Sequence, residues 1–115
     1  MRTLNDYFIS GRITDISTAG STFVVVPDSG KIVKIVSVLQ GAISGGNAAI
    51  TFEIDGTAVT NAGITVAHSG SAVGTMDSSV PTAINRVEED GSIEIITDGN
   101  STGAVALDVT FVIRR

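Results

Sequence analysis

The chain has 115 residues, of which 43% are hydrophobic and 17% are charged, and its formal net charge is −5. This length predicts one domain over residues 1–115, and the composition excludes intrinsic disorder. The sequence has no cysteine and no apolar run of about 18 residues, which excludes a disulfide framework, a thiolate metal site and a membrane-spanning helix. Only seven residues are Lys or Arg. We therefore expect no binding to nucleic acid or to a membrane surface, because both require a basic patch.

The first segments of the chain are the least regular. Residues 1–6 show no periodicity, whereas residues 7–16 and 21–26 alternate weakly between apolar and polar side chains and predict two strands. We expect residues 1–16 to form an N-terminal arm or an edge segment of the domain. The sequence Pro-Asp-Ser-Gly at residues 27–30 then predicts a turn.

The next predicted strand, over residues 31–40, has apolar side chains on both of its faces. We expect Val33, Ile35 and Leu39 on one face. The apolar residues that we expect on the opposite face are Ile32, Val36 and Val38. A sandwich of this size has a single core, so a second apolar face predicts either a covering loop or a contact with another subunit. The sequence leaves both interpretations open.

Residues 48–55 show the clearest alternation in the chain and predict a half-buried strand. The dipeptide Asp55-Gly56 follows, and this pair tolerates the positive φ angles of a tight hairpin turn. Residues 57–60 therefore predict a short return strand.

The second half of the chain contains further strand signals. Residues 63–67 and 91–97 predict short strands, and the Ser- and Gly-rich residues 68–79 predict a loop. Pro81 predicts the start of an edge segment, because proline donates no hydrogen bond to a sheet. A long strand closes the chain. Its apolar face carries Val105, Leu107, Val109, Phe111 and Ile113.

These segments amount to seven to nine short antiparallel strands with turn signals between them. Such a pattern predicts an all-β, single-domain β-sandwich or small barrel, either jelly-roll or immunoglobulin-like. Periodicity does not reveal strand order, so the sequence does not choose between these two arrangements.

No pattern in the sequence predicts catalysis. His68 is the single histidine, and a zinc site usually needs several His or Cys ligands. The chain has no G-x-S-x-G motif, and residues 98–102 lack the glutamate that ends a calcium-binding loop. We therefore expect a protein that is not an enzyme, with no catalytic residue, no cofactor and no bound metal.

Three segments carry a resemblance to a known group of proteins. They are the strand GKIVKIVSVLQGAI, the hairpin AAITFEIDG, and the closing segment GSIEIITDGNSTGAVALDVTFVIRR. In the order of their strands and turns and in their residue pattern, they resemble virion structural proteins of tailed bacteriophages, most of all capsid decoration (cement) proteins. The resemblance covers residues 16–115 and includes no catalytic signature.

This resemblance implies a protein made in the host cytoplasm that binds the outside of the phage capsid. One partner would be the major capsid protein, whose neighbouring subunits it would clamp together. The other would be further copies of itself, and a trimer is the oligomer that the resemblance favours. A head fibre, spike or tail component that contacts a host receptor or glycan is the alternative, and a non-viral β module is the third hypothesis. The residues that we expect at the oligomer or capsid interface are Tyr7, Phe8, Ile32, Val36 and Val38.

Overall fold

The computed structural model describes residues 2–115, and ten β-strands and no helix are found in this part of the chain. The strands are β1 (Asp6–Ile13), β2 (Gly20–Val25), β3 (Gly30–Leu39), β4 (Ala48–Ile54), β5 (Thr57–Ala58), β6 (Ile64–Val66), β7 (Met76–Ser79), β8 (Arg86–Val87), β9 (Ser92–Thr97) and β10 (Leu107–Arg114).

The strands form two antiparallel sheets, which confirms the predicted all-β sandwich. The first sheet has the order β1–β10–β3–β7, and β8 also pairs with β3. The second sheet has the order β2–β9–β4–β5, and β6 also pairs with β4. The count exceeds the expected seven to nine because β7 and β8, of four and two residues, carry no periodic apolar signal and were not predicted.

The strand order is nested from the ends of the chain inward. β1 pairs with β10, β2 with β9, β3 with β7 and β8, and β4 with β5 and β6. The first four strands alternate between the two sheets, so each nested pair lies in the sheet opposite its neighbour. This is the order of a jelly roll.

The core lies between the inner faces of the two sheets. Alternate residues of each strand point inward, as in β9, where Ile93 and Ile95 are fully buried and their neighbours are partly exposed. Phe52 of the second sheet and Phe111 of the first meet edge to face, with ring centroids 5.5 Å apart. This aromatic pair joins the sheets near the centre of the core, where burial of apolar surface provides most of the stability.

Two glycines have roles that the backbone requires. Gly56 (φ 78°) follows Asp55 (φ 52°) in the turn between β4 and β5, which confirms the predicted hairpin. Gly11 lies where β1 crosses over β2. A Cβ atom at Gly11 would stand 2.4 Å from Val24 Cγ2, so any side chain here would push the edge strands of the two sheets apart.

Residues at the start of the chain form an edge of the first sheet. Of the segment 1–16, Met1 lies outside the described residues, and residues 6–13 are the edge strand β1. A turn precedes this strand, in which the Asp6 N–H donates to the Thr3 carbonyl at 3.1 Å.

The predicted loop over residues 68–79 is wrong at its C-terminal end, because residues 76–79 form β7. This strand reads Met-Asp-Ser-Ser and has no apolar alternation of its own. It pairs with β3 in a register that sets Val38 opposite Met76 and Ile35 opposite Ser79. Pairing with a strongly apolar neighbour thus outweighs a weak local β-propensity.

Candidate functional site

A β-bulge near the start of β3 decides which of its side chains face outward. Ile113 of β10 pairs with Ile32, and the preceding residue Val112 pairs with Lys34, so that Val33 has no partner of its own. Two residues of β3 therefore span the place of one, and the inward–outward alternation restarts after the bulge.

The bulge corrects one predicted interface residue. Ile32 is fully buried in the core beside Ile35, whereas Val36 and Val38 point to the outer face. The prediction that these three residues share a face is therefore wrong for Ile32. Val33, predicted to share a face with Ile35 and Leu39, is partly exposed, whereas those two residues are fully buried. Both residues at the bulge are apolar, so the sequence pattern does not reveal the shift.

Apolar side chains line the outer face of the first sheet. This apolar stripe consists of Phe8, Val36, Val38, Met76 and Val112. The register sets Phe8 beside Val112, and Val38 beside Met76, across neighbouring strands. Phe8 and Met76 are 58% and 66% exposed, whereas Val112 at the centre is 5% exposed. The stripe forms the floor of a shallow depression of ≈ 430 Å³.

Ion pairs flank the apolar stripe at both ends. Arg12 donates to both carboxylate oxygens of Asp108, at 2.7 and 2.9 Å, and Gln40 donates to the same carboxylate at 2.7 Å. Arg114 holds Asp6 in the same bidentate way, at 2.8 and 3.0 Å. The hydrogen bonds from Arg114 and Arg12 hold the pKa values of the Asp6 and Asp108 carboxyls below their usual range. These contacts fix the rim in one geometry.

Every Lys and Arg of the chain belongs to the first sheet or adjoins one of its strands. They are Arg2, Arg12, Lys31, Lys34, Arg86, Arg114 and Arg115. Lys31 and Lys34 form no ion pair within the described residues. On the outer face of the second sheet, in contrast, Glu53 and Glu94 lie directly opposite each other on paired strands. The two faces of this acidic protein therefore differ in charge.

Tyr7 does not share the face of its neighbour Phe8. It lies on the inner side of β1, partly buried, opposite Ile113. Its hydroxyl donates to the Asp28 carbonyl, and the Arg115 guanidinium lies 4.8 Å from the centre of its ring. Burial raises the pKa of this phenol. Tyr7 therefore fastens the start of β1 to the turn before β3.

The five predicted interface residues thus divide into two groups. Phe8, Val36 and Val38 come together on the outer face of the first sheet, and Ile32 and Tyr7 do not. Sequence reasoning missed Val112 and Met76. Val112 was detectable as an apolar residue on the polar side of the last strand, whereas Met76 stands in a Ser- and Gly-rich stretch that gives no signal.

The remaining polar groups do not assemble into a metal centre. Among residues 2–115, no group of three or more His, Cys, Asp or Glu side chains is arranged to hold an ion. His68 is exposed, and its Nδ1 lies 2.8 Å from Asn47 Oδ1. In the same part of the chain, no helix is long and apolar enough to cross a membrane.

Comparison of the sequence with protein-family models and with curated proteins finds no match. The surface of the fold and the resemblance in sequence therefore remain as the indications of function.

Proposed function

We propose that the protein decorates the capsid of a tailed bacteriophage and binds the outside of the major capsid shell through the outer face of its first sheet. The observation that carries this proposal is the apolar stripe with its ion-paired rim. Fixed apolar side chains surrounded by polar groups are the usual anatomy of a protein–protein interface.

The location of the stripe supports a docking role. The outer face of an antiparallel sheet normally meets water and carries polar side chains. Here Phe8 and Met76 expose large apolar side chains beside Val36 and Val38 on that face. These side chains do not serve the core, which lies on the other side of the sheet. A protein surface is the partner that would cover them.

The charge distribution supports an orientation. The cations around the stripe, including the unpaired Lys34, favour a partner surface that is acidic. The second sheet, with Glu53 opposite Glu94, would then face solvent. Each contact of this size is weak, and a symmetric shell multiplies it, because several linked contacts bind more tightly than one. Clamping of neighbouring capsid subunits and self-association are part of the proposal.

Copy number tests the proposal. Quantitative peptide mass spectrometry of purified virions measures the ratio of this chain to the major capsid protein. We expect one copy per one to a few capsid subunits. A few copies per particle would contradict decoration and favour the alternative, a fibre, spike or tail component. Absence from the virion would contradict both functions.

A matched pair of substitutions tests the docking face. Val36→Asp places a carboxylate on the central strand of the first sheet, and Thr51→Asp places one on the outer face of the second sheet. We expect Val36→Asp to weaken capsid binding by about thirtyfold or more, as substitutions at the centre of an interface do. Thr51→Asp should bind like the wild type. Equal binding by the two variants would exclude this face.

A further inference from the structure

The two sides of the sandwich differ in how their edge strands are shielded. On one side the edges consist of β5, β6, β7 and β8, which have two to four residues each. On the other side, β1 and β2 have eight and six residues. Very short strands keep an edge from pairing with another chain. The side formed by β1 and β2, where Gly11 crosses Val24, lacks this device.

The hydrogen-bond pattern shows which backbone groups are open on β1. The Arg115 N–H donates to the Asn5 carbonyl at 3.2 Å. Because bonding direction alternates along an antiparallel strand, the odd-numbered residues of β1 bond to β10, and Phe8, Ser10 and Arg12 point their N–H and C=O groups away. No partner for these groups occurs within residues 2–115.

The open segment is centred on Ser10. At its N-terminal end, the Asp6 N–H also points away from β10, but the Thr3 carbonyl already accepts from it at 3.1 Å. At its C-terminal end, the strand stops at Ile13. Three alternate residues, Phe8, Ser10 and Arg12, therefore keep open backbone groups at the sheet edge. Ser10 is the middle one.

Charge selects the occupant of this edge. Near its N-terminal end lie two cations and one anion, Arg2, Arg114 and Asp6. Near its C-terminal end lie Arg12 and two anions. These anions are Asp108, which pairs with Arg12, and Asp15, which lines a second surface depression together with Arg12. An antiparallel second copy brings each end beside its electrostatic opposite, and a parallel one brings like ends together.

We propose that two copies of this chain pair antiparallel through β1, across a two-fold axis beside Ser10, and so join their first sheets into one. Ser10 of the two copies would face each other at the axis, and in each copy Ser10 Oγ lies 2.9 Å from Thr110 Oγ1. Phe8 would lie opposite Arg12 of the second copy. The two β2 edges, with Phe23 and Val25 65% and 68% exposed, would lie on the same side of the contact.

This proposal does not depend on the capsid function. It predicts a two-fold dimer, whereas the resemblance implies a trimer. A two-fold contact uses the same patch of both copies. It leaves Val36, Val38 and Met76 of the apolar stripe on the outer face. Self-association of the isolated chain and binding to a capsid are therefore separate measurements, and either one can fail alone.

Single-cysteine variants test the register, because the chain has no cysteine of its own. Residues opposite each other in a hydrogen-bonded antiparallel pair have Cα atoms about 5.5 Å apart, within the range that a disulfide spans. We expect Ser10→Cys to form a covalent dimer under mild oxidation at micromolar concentration.

Ser78→Cys is the matched control. Ser78 is also an exposed outer-face serine on an edge strand, and its N–H also points away from the sheet, because the Leu39 N–H donates to the Thr75 carbonyl at 2.8 Å. We expect this variant to form no covalent dimer, although it should still associate through β1 as the wild type does. Absence of the Ser10→Cys dimer, or equal cross-linking of both variants, would overturn the proposal.

Proline variants test the same contact without a cross-link. Proline at Ser10 removes an N–H that points out of the sheet, so it breaks no backbone hydrogen bond of the fold. It removes the exposed side-chain hydrogen bond to Thr110, and it removes two backbone bonds at the two-fold axis. By sedimentation velocity we expect Ser10→Pro to associate about thirtyfold more weakly than the wild type, and Ser78→Pro to associate normally. Circular dichroism reports whether each variant folds. A wild-type chain that sediments as a monomer or a trimer at high micromolar concentration would contradict the proposal.

Discussion

The outer faces of the two sheets cover the same core but carry different chemistry. On the first sheet, the carboxylates of Asp6 and Asp108 are each held by an arginine, and an apolar stripe lies between them. On the second sheet, Glu53 and Glu94 face each other, Phe23 and Val25 of the edge strand β2 are exposed, and the strands contain no Lys or Arg. The inner faces of both sheets are mostly apolar, with Ser37 and Thr97 as buried polar residues. Both outer faces expose large apolar side chains, so the sheets differ in charge and ion pairing, and this difference makes the first sheet the candidate contact surface.

The contrast also indicates how each face tolerates its environment. Like charges on directly opposed residues destabilise a sheet, and water and salt reduce this cost only while the face stays exposed. Glu53 and Glu94 therefore favour contact with solvent. Bidentate arginine–carboxylate pairs instead keep their geometry when water is removed, so the rim of the first sheet suits a contact. A substitution in the shared core should therefore affect both sheets, whereas a substitution on one outer face should affect that face alone.

Removal of a shared core side chain should have the largest effect. Phe111→Ala deletes a fully buried ring that packs edge to face on Phe52 of the other sheet. We expect a loss of about 3–5 kcal/mol in the free energy of unfolding, measured with urea. Phe8→Ala is the matched control, because Phe8 lies on the same sheet with its ring mostly exposed, and it should weaken capsid binding with little change in stability. A similar loss from both variants would mean that the outer face is part of the core.

The sequence predicted the strands whose burial alternates without interruption. Residues 48–55 and 91–97 were expected as strands, and β4 and β9 occupy residues 48–54 and 92–97. In each, a small set of inward apolar residues alternates with polar ones, and this period alone specifies a half-buried strand. The inward face of the last strand was also correct, since Leu107 to Ile113 alternate into the core.

The remaining features depend on distant partners. The bulge at Val33 exists because β10 pairs with β3 on both sides of it, and no local pattern reports that register. β7 is a strand because β3 lies beside it. Met76 joins the apolar stripe for the same reason. The site was therefore partly predictable. Phe8, Val36 and Val38 were among the predicted interface residues, Val112 was detectable on the polar side of the last strand, and Met76 follows from register alone.

Loss of the Asp6 carboxylate should change the stability of the first sheet in acid. The hydrogen bonds from Arg114 hold the pKa of Asp6 below its usual range. Its contribution to stability is therefore complete above the unfolded-state value of about 3.9, and it is lost as the pH falls through the lower folded-state value. We expect Asp6→Asn to be less stable than the wild type at neutral pH, with a shallower fall in stability below about pH 4, as followed by urea unfolding across that range.

A double-mutant cycle identifies the partner in this effect. Arg114→Gln removes the other half of the pair and should reproduce most of the change made by Asp6→Asn. The double variant should lose less than the two single losses together. Strict additivity would show that Asp6 acts through the turn at Thr3, whose N–H donates to Asp6 at 3.0 Å, and not through the ion pair.

The smallest effect is expected on the second sheet, and its sign is opposite. Glu53→Lys replaces one of two carboxylates that lie directly opposite each other by a cation. We expect a gain of about 0.2–1 kcal/mol in the free energy of unfolding at low salt, decreasing as salt is added. Arg12→Glu is the converse on the first sheet, because it sets a second carboxylate opposite Asp108, and it should destabilise the fold. If Glu53→Lys instead lowered stability, the Glu53 carboxylate would make a favourable interaction that this pairing does not explain. If it left stability unchanged at every salt concentration, the two glutamates would be too well hydrated to repel each other, and the contrast between the faces would lie in the ion-paired rim of the first sheet.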